Sequence, residues 1–237
     1  MTNTSPDNYV DWKLIQVAIF DVDGTLYCQR ALRRKMIKEL CRFYFRHPSK
    51  VYELKILRDF RNAREVGARV AVDDLDNMQY VWGAERSGVK PERVRRIVFE
   101  WILRRPLKYL LTCRYPGVVE FLNRLRQKGI KVVFLSDYPV ADKLNALELS
   151  SELSVVATDP KIGRFKPDPK GVLHIAQTLG VRPEDCVVIG DRDDRDGEVA
   201  RRAGMWYIII GKHRSRNQRS YPELSEELNF SSARENL

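Results

Sequence analysis

Two aspartates, Asp21 and Asp23, directly follow a short apolar run and precede Gly24 and Thr25. A carboxylate beside a metal ion can attack phosphorus and form an aspartyl phosphate. A second carboxylate two residues on is suited to protonate a leaving group and then to activate water. In isolation the same residues are equally typical of a turn at a strand end. If the two aspartates are instead a reactive pair, they predict phosphoryl transfer, with Asp21 as nucleophile and Asp23 as general acid and base.

Three further polar stretches follow later apolar runs of the chain, at Ser136-Asp137, at Lys166 and from Gly190 to Asp196. Ser136 offers a hydroxyl, and the backbone amide of Asp137 beside it can also bind a phosphoryl group. Lys166 offers a positive charge that would compensate both the attacking carboxylate and the phosphoryl oxygens. In a parallel α/β sheet, ligands bind outside the carboxyl ends of the strands, so these residues are expected to converge with Asp21.

The carboxylates of this predicted site need a counter-charge. Asp21 and Asp191 in one small volume would repel each other unless a cation neutralises them. Mg²⁺ prefers oxygen ligands and commonly uses one or two carboxylates together with substrate phosphate. We therefore expect Mg²⁺ as cofactor, with Asp21 as both ligand and nucleophile and Asp191 completing the metal site.

The elements that must position these residues are short buried strands alternating with helices. Apolar runs at 17–21, 130–135, 154–157, 186–190 and 206–210 are typical of buried strands. Helical patterns between them end at Gly129 and Gly180, as helices often do. Such alternation predicts an α/β fold with a doubly wound, Rossmann-like parallel sheet.

Residues 27–112 interrupt this alternation. They contain no comparable strand and instead show helical patterns over 32–45, 51–65 and 92–104. We interpret them as an α-helical cap inserted after the first strand. The predicted organisation is then an α/β core of residues 14–26 and 113–212, a helical cap of residues 27–112, and terminal tails of residues 1–13 and 213–237. The second tail is expected to be a loosely held surface segment.

These residues together resemble the haloacid dehalogenase-like phosphatases, in that family's order and spacing from Val17 to Lys212. The first motif matches Asp21-Val-Asp23-Gly-Thr, the second Leu135-Ser136, the third Lys166-Pro, and the fourth the run from Gly190-Asp191 to Asp196. The resemblance extends to the subgroup with a helical cap after the first motif. With four motifs in order, a chance turn becomes a poor explanation of the first.

The resemblance implies a ligand set and one supporting acid. In that subgroup Mg²⁺ is held by Asp21, the backbone carbonyl of Asp23 and Asp191, and Asp196 is an acidic residue near the lysine or metal. Asp193 and Asp194 compete for that supporting role. We assign it to Asp196 because the spacing to Ala200 follows from it.

Charge is distributed unevenly along the chain. The protein carries a net charge of +10, and residues 27–112 hold 21 Lys and Arg against 10 Asp and Glu, a net charge of +11. Such a segment is most often a solvated helix face, but it also suits peripheral contact with an anionic membrane. Nucleic acid is not expected as a partner, because no recognised binding motif accompanies the charge. The sequence leaves the oligomeric state open.

Composition is typical of a globular domain, with 43% hydrophobic and 31% charged residues. Four scattered cysteines suit a reducing compartment, and the first residues do not read as a secretory signal, so we expect a cytoplasmic protein. The function predicted is an Mg²⁺-dependent phosphomonoesterase acting on a small phosphorylated metabolite. Two alternatives stay open: a phosphomutase with the same motifs, and a protein whose basic cap binds an anionic membrane or another partner.

Overall fold

The computed structural model describes residues 10–67, 72–211 and 218–233. Its centre is a six-stranded, all-parallel sheet in the order β3-β2-β1-β4-β5-β6. The predicted doubly wound α/β class is thereby confirmed. The strands are β1 (Val17–Phe20), β2 (Lys131–Ser136), β3 (Leu153–Val156), β4 (Cys186–Gly190), β5 (Trp206–Ile210) and β6 (Gln218–Arg219).

Both faces of the sheet are covered, because successive side chains of a strand point to opposite faces. On β1, Ala18 and Phe20 pack into one apolar cluster, whereas Val17 and Ile19 pack into another. Phe20 contacts Phe121 of a covering helix, with ring centroids 6.2 Å apart. Strands buried on both faces explain why these segments read as continuous apolar runs in the sequence. The core helices are α6 (Val118–Gln127), α7 (Ala141–Leu147), α8 (Lys170–Leu179) and α9 (Glu198–Ala203).

A helical insertion lies between β1 and β2. The entering and leaving chains are joined at its base, where the amide of Cys28 donates to the carbonyl of Cys113 at 2.8 Å. Only helical elements occur within its described residues. They are α1 (Gln29–Arg46), a short 3₁₀ turn (Pro48–Lys50), α2 (Glu53–Gly67), α3 (Leu75–Ser87), α4 (Pro91–Val98), a π-helical segment (Phe99–Arg104) and α5 (Leu107–Cys113).

The insertion contains two helices, α3 and α5, that lie outside the predicted helical patterns. Helix α3 was not predicted, although Asp74 caps its first turn by accepting from the amide of Asn77 at 3.1 Å and Gly88 ends it in the left-handed region. Cys113, which the prediction places at the start of the returning core, is the last residue of α5, and the division into core and cap stays a prediction.

The prediction of a loose carboxyl-terminal tail was wrong. Residues Gln218–Arg219 form β6 against β5, and α10 (Tyr221–Ala233) follows. Leu224 and Leu228 are fully buried in the main core, and the Tyr221 hydroxyl donates to the carbonyl of Thr25 at 3.0 Å. The polar residues at 212–217, which suggested a surface segment, lie outside the described residues. At the other end, Trp12 was expected in a tail but is buried against Phe121.

Replacement of Leu224 by Ala tests whether α10 is part of the core. A fully buried leucine leaves a cavity when truncated, so we expect the free energy of unfolding to fall by about 2–5 kcal/mol. Glu226→Ala on the exposed side of the same helix is the matched control and should change it by about 0.5 kcal/mol or less. Equal effects of the two substitutions in urea unfolding would show that α10 does not pack on the core.

Candidate active site

The predicted site residues lie at the carboxyl edge of three neighbouring strands. Asp21 follows β1, Ser136 ends β2, and Asp191 follows β4. Strands β2, β1 and β4 are adjacent and parallel, so their ends meet at one place. Lys166 reaches the same place from the loop before α8. The structure therefore brings together residues that are up to 170 positions apart in the sequence.

Lys166 links two buried carboxylates. Its Nζ lies 2.5 Å from Oδ1 of Asp21 and 2.5 Å from Oδ1 of Asp196. The other oxygen of Asp21 accepts from the Thr25 hydroxyl at 2.9 Å. Because Asp21, Lys166 and Asp196 are all buried, these contacts are only weakly screened by water.

Two carboxyls of this cluster have raised pKa values. Burial raises the pKa of Asp21 to about 8, with repulsion from Asp196 and Asp191 adding to it and Lys166 opposing it. Burial, together with Asp196, raises the pKa of Asp191 to about 6. Burial alone would lower the pKa of Lys166, but Asp196 and Asp21 outweigh it and raise the pKa above its ordinary value. The cluster therefore holds more negative charge than Lys166 can neutralise.

The donor set fits a hard divalent cation. Asp21, Asp191 and Asp196 each place a carboxylate oxygen within 4.8 Å of the others. Gly24 allows this approach, since a Cβ there would lie 2.1 Å from Oδ2 of Asp191. Carboxylate oxygens suit Mg²⁺, and a cation here would offset the repulsion that adds to the raised pKa values of Asp21 and Asp191.

Asp196 was predicted to be the supporting acid, and its carboxylate contacts Lys166. Besides its contact with Lys166, its Oδ2 accepts from the amide of Arg192 at 3.1 Å. The approach depends on Gly190, where a Cβ would lie 2.3 Å from that of Asp196. The two competing acids lie outside the cluster, with Asp193 bound to Arg201 and Asp194 bound to Arg192, both largely exposed.

The carboxylate of Asp23 is not one of the three that form the cluster of Asp21, Asp191 and Asp196. Both of its oxygens contact Nζ of Lys143, at 2.6 and 2.5 Å, and one also accepts from the Tyr27 hydroxyl. Burial would raise the pKa of Asp23, but the Lys143 ammonium outweighs it and holds the pKa below its ordinary value. The side chain of Asp23 is thus bound to Lys143 and Tyr27, and its backbone carbonyl as a metal ligand stays a prediction.

Ser136 and Asp137 lie between Asp23 and Lys166. The Ser136 hydroxyl donates to Asp23 at 3.4 Å and accepts from the amide of Tyr138 at 3.2 Å. The carboxylate of Asp137 has a separate role, since it accepts from the amide of Lys166 at 3.4 Å. Thus the Asp137 side chain supports the loop that carries Lys166, whereas its backbone amide was the group predicted to bind phosphate.

Helix α2 of the insertion contacts the loops of the site. The guanidinium of Arg64 lies between two aromatic rings, 3.8 Å from the centroid of Tyr138 and 4.3 Å from that of Phe165. It also donates to the carbonyl of Asp137 at 2.7 Å. The next residue, Glu65, pairs with Arg195 of the loop that carries Asp196. The insertion is therefore docked on two of the loops that hold site residues.

Several of these contributors were not predicted, among them Tyr27, Lys143, Arg64 and Arg195. Arg195 stands within the fourth motif but was given no role, whereas Lys143 and Arg64 do not directly follow an apolar run. Lys143 is buried on α7 and Arg64 on α2, so their positions depend on how helices pack. The contact of Tyr27 with Asp23 could have been considered from the sequence, because its hydroxyl stands four residues after Asp23.

A cleft of about 540 Å³ lies over the carboxylates and beneath the insertion. The core lines it with Asp21, Asp23, Lys166, Asp191 and other charged residues of the site. The insertion lines it with side chains of α1, α2, the π-helical segment and α5. Its size is in the range of small-molecule sites, and the carboxylates and Lys166 line it.

Fold and site together define an α/β enzyme with a carboxylate cluster at the strand ends and a helical insertion above it. The sequence profile of the haloacid dehalogenase-like hydrolases matches residues 15–204. The chain belongs to that family, and the predicted family is confirmed.

Two curated relatives match most of the chain. A glyceraldehyde 3-phosphate phosphatase of Methanopyrus kandleri is 29% identical over 216 residues, covering 87% of this chain and 89% of the relative. A phosphoglycolate phosphatase of Pseudomonas aeruginosa is 25% identical over 196 residues, covering 81% and 68%. The chain is therefore similar to phosphatases along most of its length.

Solved structures agree on the fold. A phosphatase of the same family from Thermococcus onnurineus has a TM-score of 0.59 at 21% identity, covering 90% of this chain and 98% of the other. A 2-haloacid dehalogenase from Pseudomonas syringae has a TM-score of 0.61 at 20% identity, covering 93% and 99%. Since proteins of different chemistry share this fold, the fold alone does not select among their reactions.

Lys143→Met tests the contact between Lys143 and Asp23. The substitution leaves a largely buried carboxylate without its cation, so we expect the free energy of unfolding at pH 7 to fall by about 2–4 kcal/mol. Because the pKa of Asp23 is lowered in the folded protein, the stabilisation is complete above the ordinary value of 3.8 and is lost as pH falls through the folded value. The difference from the unmodified protein should therefore shrink in acid.

Lys143→Arg keeps the charge and serves as the matched control. It should lose less stability than Lys143→Met at pH 7. A loss for Lys143→Met that stays the same from pH 7 to pH 3 in urea unfolding would contradict the ion pair.

Proposed function

We propose that the protein is an Mg²⁺-dependent phosphomonoesterase that hydrolyses a phosphorylated metabolite through an aspartyl-phosphate intermediate on Asp21. The observation that carries this proposal is the contact of Asp21 with Lys166 at the strand end, beside Asp191. The phosphatases among its relatives, including one that acts on glyceraldehyde 3-phosphate by name, support a phosphate ester as substrate.

In the first half-reaction, Asp21 attacks phosphorus and the bond to the leaving oxygen breaks. Lys166 offsets the charge of Asp21 and of the phosphoryl oxygens in the transition state. The Ser136 hydroxyl and the Asp137 amide bind the same oxygens. Mg²⁺, when bound by Asp21, Asp191 and the backbone carbonyl of Asp23, supplies further positive charge to the phosphoryl group.

Asp23 supplies the proton to the leaving oxygen and later removes one from the water that hydrolyses the aspartyl phosphate. The Lys143 ammonium keeps Asp23 ionised in the present arrangement. A substrate phosphate carries negative charge that competes for Lys143, and the loss of that contact would let Asp23 take up a proton. Asp196 does not enter these steps directly, since it holds Lys166 in position.

Two other reactions occur on this fold, dehalogenation and phosphoryl transfer within a sugar phosphate. Dehalogenation does not need a proton donor two residues after the nucleophile, so Asp23 favours the phosphatase. A phosphomutase uses the same four motifs and differs in how water is excluded from the phosphorylated aspartate. It is distinguished by its product, because a mutase forms an isomer of a sugar phosphate and a phosphatase releases free phosphate.

Asp21→Asn tests the nucleophile. An amide cannot form the phosphoaspartate, so we expect Mg²⁺-dependent phosphate release to fall by about 10³-fold or more while the circular dichroism spectrum is kept. Asp193→Asn is the same chemical change on a largely exposed side chain and should stay within about twofold of the unmodified enzyme. Assays with sugar phosphates should yield free phosphate and no isomer. Full activity of Asp21→Asn would exclude the mechanism.

A second candidate role is binding of the basic insertion to an anionic membrane. Helix α1 and α5 form a shallow basin lined by Lys35, Lys38, Arg42, Arg46 and Lys108. Glu39 neutralises part of it by pairing with Lys108 and Arg105. Phe45 beside this basin is 90% exposed, which suits insertion among lipid headgroups.

In the part of the chain that the structure describes, no helix has both the length and the apolarity to cross a bilayer. A cytoplasmic location stays a prediction.

Sedimentation with vesicles tests this second role. Two cations near an anionic surface contribute about 1 kcal/mol each, so Lys38→Ala with Arg42→Ala should weaken binding to phosphatidylserine vesicles by about tenfold or more at low salt. Lys90→Ala with Arg96→Ala removes the same charge from α4 and is the control. Equal binding of all forms, or binding insensitive to salt, would exclude the α1 basin as a membrane contact.

A further inference from the structure

We propose that the substrate is a phosphomonoester of an apolar alcohol, with an alkyl or prenyl-like leaving group held under the insertion. This inference rests on the proposed phosphatase function and assigns the class of its substrate. Its basis is the set of apolar side chains that the insertion contributes to the cleft.

Many of the side chains that the insertion contributes to the cleft are apolar. Leu32 and Met36 of α1, Leu57 of α2 and Leu107 and Leu110 of α5 all line the cleft. They come from three helices that surround one volume, and that volume is continuous with the space over Asp21. A group attached to a phosphate on Asp21 would therefore extend into apolar surroundings.

The aromatic member of this wall, Trp101, presents no free polar atom. Its indole nitrogen donates to Glu53 at 3.3 Å, so its hydrogen-bonding group is already bound within the insertion. Trp101 belongs to the π-helical segment, together with Ile102 and Leu103 of the same wall. Such segments are rare and are frequently found at functional sites. Here the irregular turn adds three large side chains to the cleft.

An apolar wall discriminates against a polar leaving group. The hydroxyls of a sugar or of glycerate lose hydrogen bonds to water when they enter such a space, and the aliphatic side chains cannot replace them. An alkyl group gains from the same transfer, by about fourfold in affinity for each buried methylene. The volume of about 540 Å³ also exceeds what a two-carbon acid such as phosphoglycolate would fill.

Three arginines of the insertion that line the same cleft would suit a different substrate, namely a phosphate ester with a second anionic group. Arg33, Arg58 and Arg61 also line it, but all three are exposed. Arg33 donates to Gln29 at 2.5 Å, and Arg58 lies 3.5 Å from Asp59. Exposed arginines interact weakly with a ligand charge because water screens them. We therefore infer that the apolar wall, more than these exposed arginines, selects the substrate.

The test is a chain-length series with the full protein and Mg²⁺. Phosphate release is measured for ethyl, butyl and hexyl phosphate and for 2-phosphoglycolate. We expect kcat/KM to rise at least tenfold from ethyl to hexyl phosphate and to be lowest for phosphoglycolate.

Two variants locate the preference in the wall. Met36→Gln keeps the length of the side chain and adds an amide, and Leu107→Asn does the same on a half-buried position that is less critical for folding. Each should lower the ratio of kcat/KM for hexyl to ethyl phosphate by about fivefold or more. Leu173→Asn, on an exposed face of α8 outside the cleft, should leave that ratio unchanged.

The outcomes separate the two proposals. Phosphate release without a chain-length preference, or with a preference for phosphoglycolate that Arg61→Ala removes, would overturn the apolar substrate and leave the phosphatase intact. No release from any of the four esters or from p-nitrophenyl phosphate would instead count against the phosphatase itself. A chain-length preference that survives in both wall variants would also overturn the assignment.

Discussion

The accumulation of buried negative charge at one sheet edge is the constraint on which the rest of the site depends. Asp21, Asp191 and Asp196 lie within contact distance of a common point, and Lys166 alone stands between two of them. Such a cluster is costly unless cations share it. The buried lysines, the glycines beside the aspartates and the predicted metal are all consequences of placing these groups together.

The sheet places this charge, and the insertion encloses it. Three adjacent parallel strands end at the same level, so that Asp21, Ser136 and Asp191 need no long loops to meet. Gly24 and Gly190 remove the two Cβ atoms that would keep Asp191 and Asp196 apart from their neighbours. Arg64 and Glu65 then dock the insertion on the loops around Lys166 and Asp196, which turns an exposed edge into a cleft.

The sequence predicted those parts of the site that follow a local pattern. Asp21 and Asp191 were found because a buried strand is an apolar run, and the residue after it must lie at the sheet edge. Lys143 and Arg64 could not be found in this way, since helix packing alone brings them to Asp23 and Asp137. The prediction for the carboxyl-terminal region was wrong for a related reason. The buried leucines of α10 stand among polar residues and therefore form no clear apolar run.

The loop that carries Asp21 and Thr25 is supported by a residue near the carboxyl end of the chain, which bears on the order of events during synthesis. Thr25 holds one oxygen of Asp21, and its own carbonyl accepts from the hydroxyl of Tyr221, 196 residues later in the chain. During translation the loop therefore leaves the ribosome long before its last hydrogen-bond donor exists. The hydrogen bond to the Thr25 carbonyl can form only after α10 has emerged, so a nascent chain stopped before residue 221 lacks this support of the loop that carries Asp21.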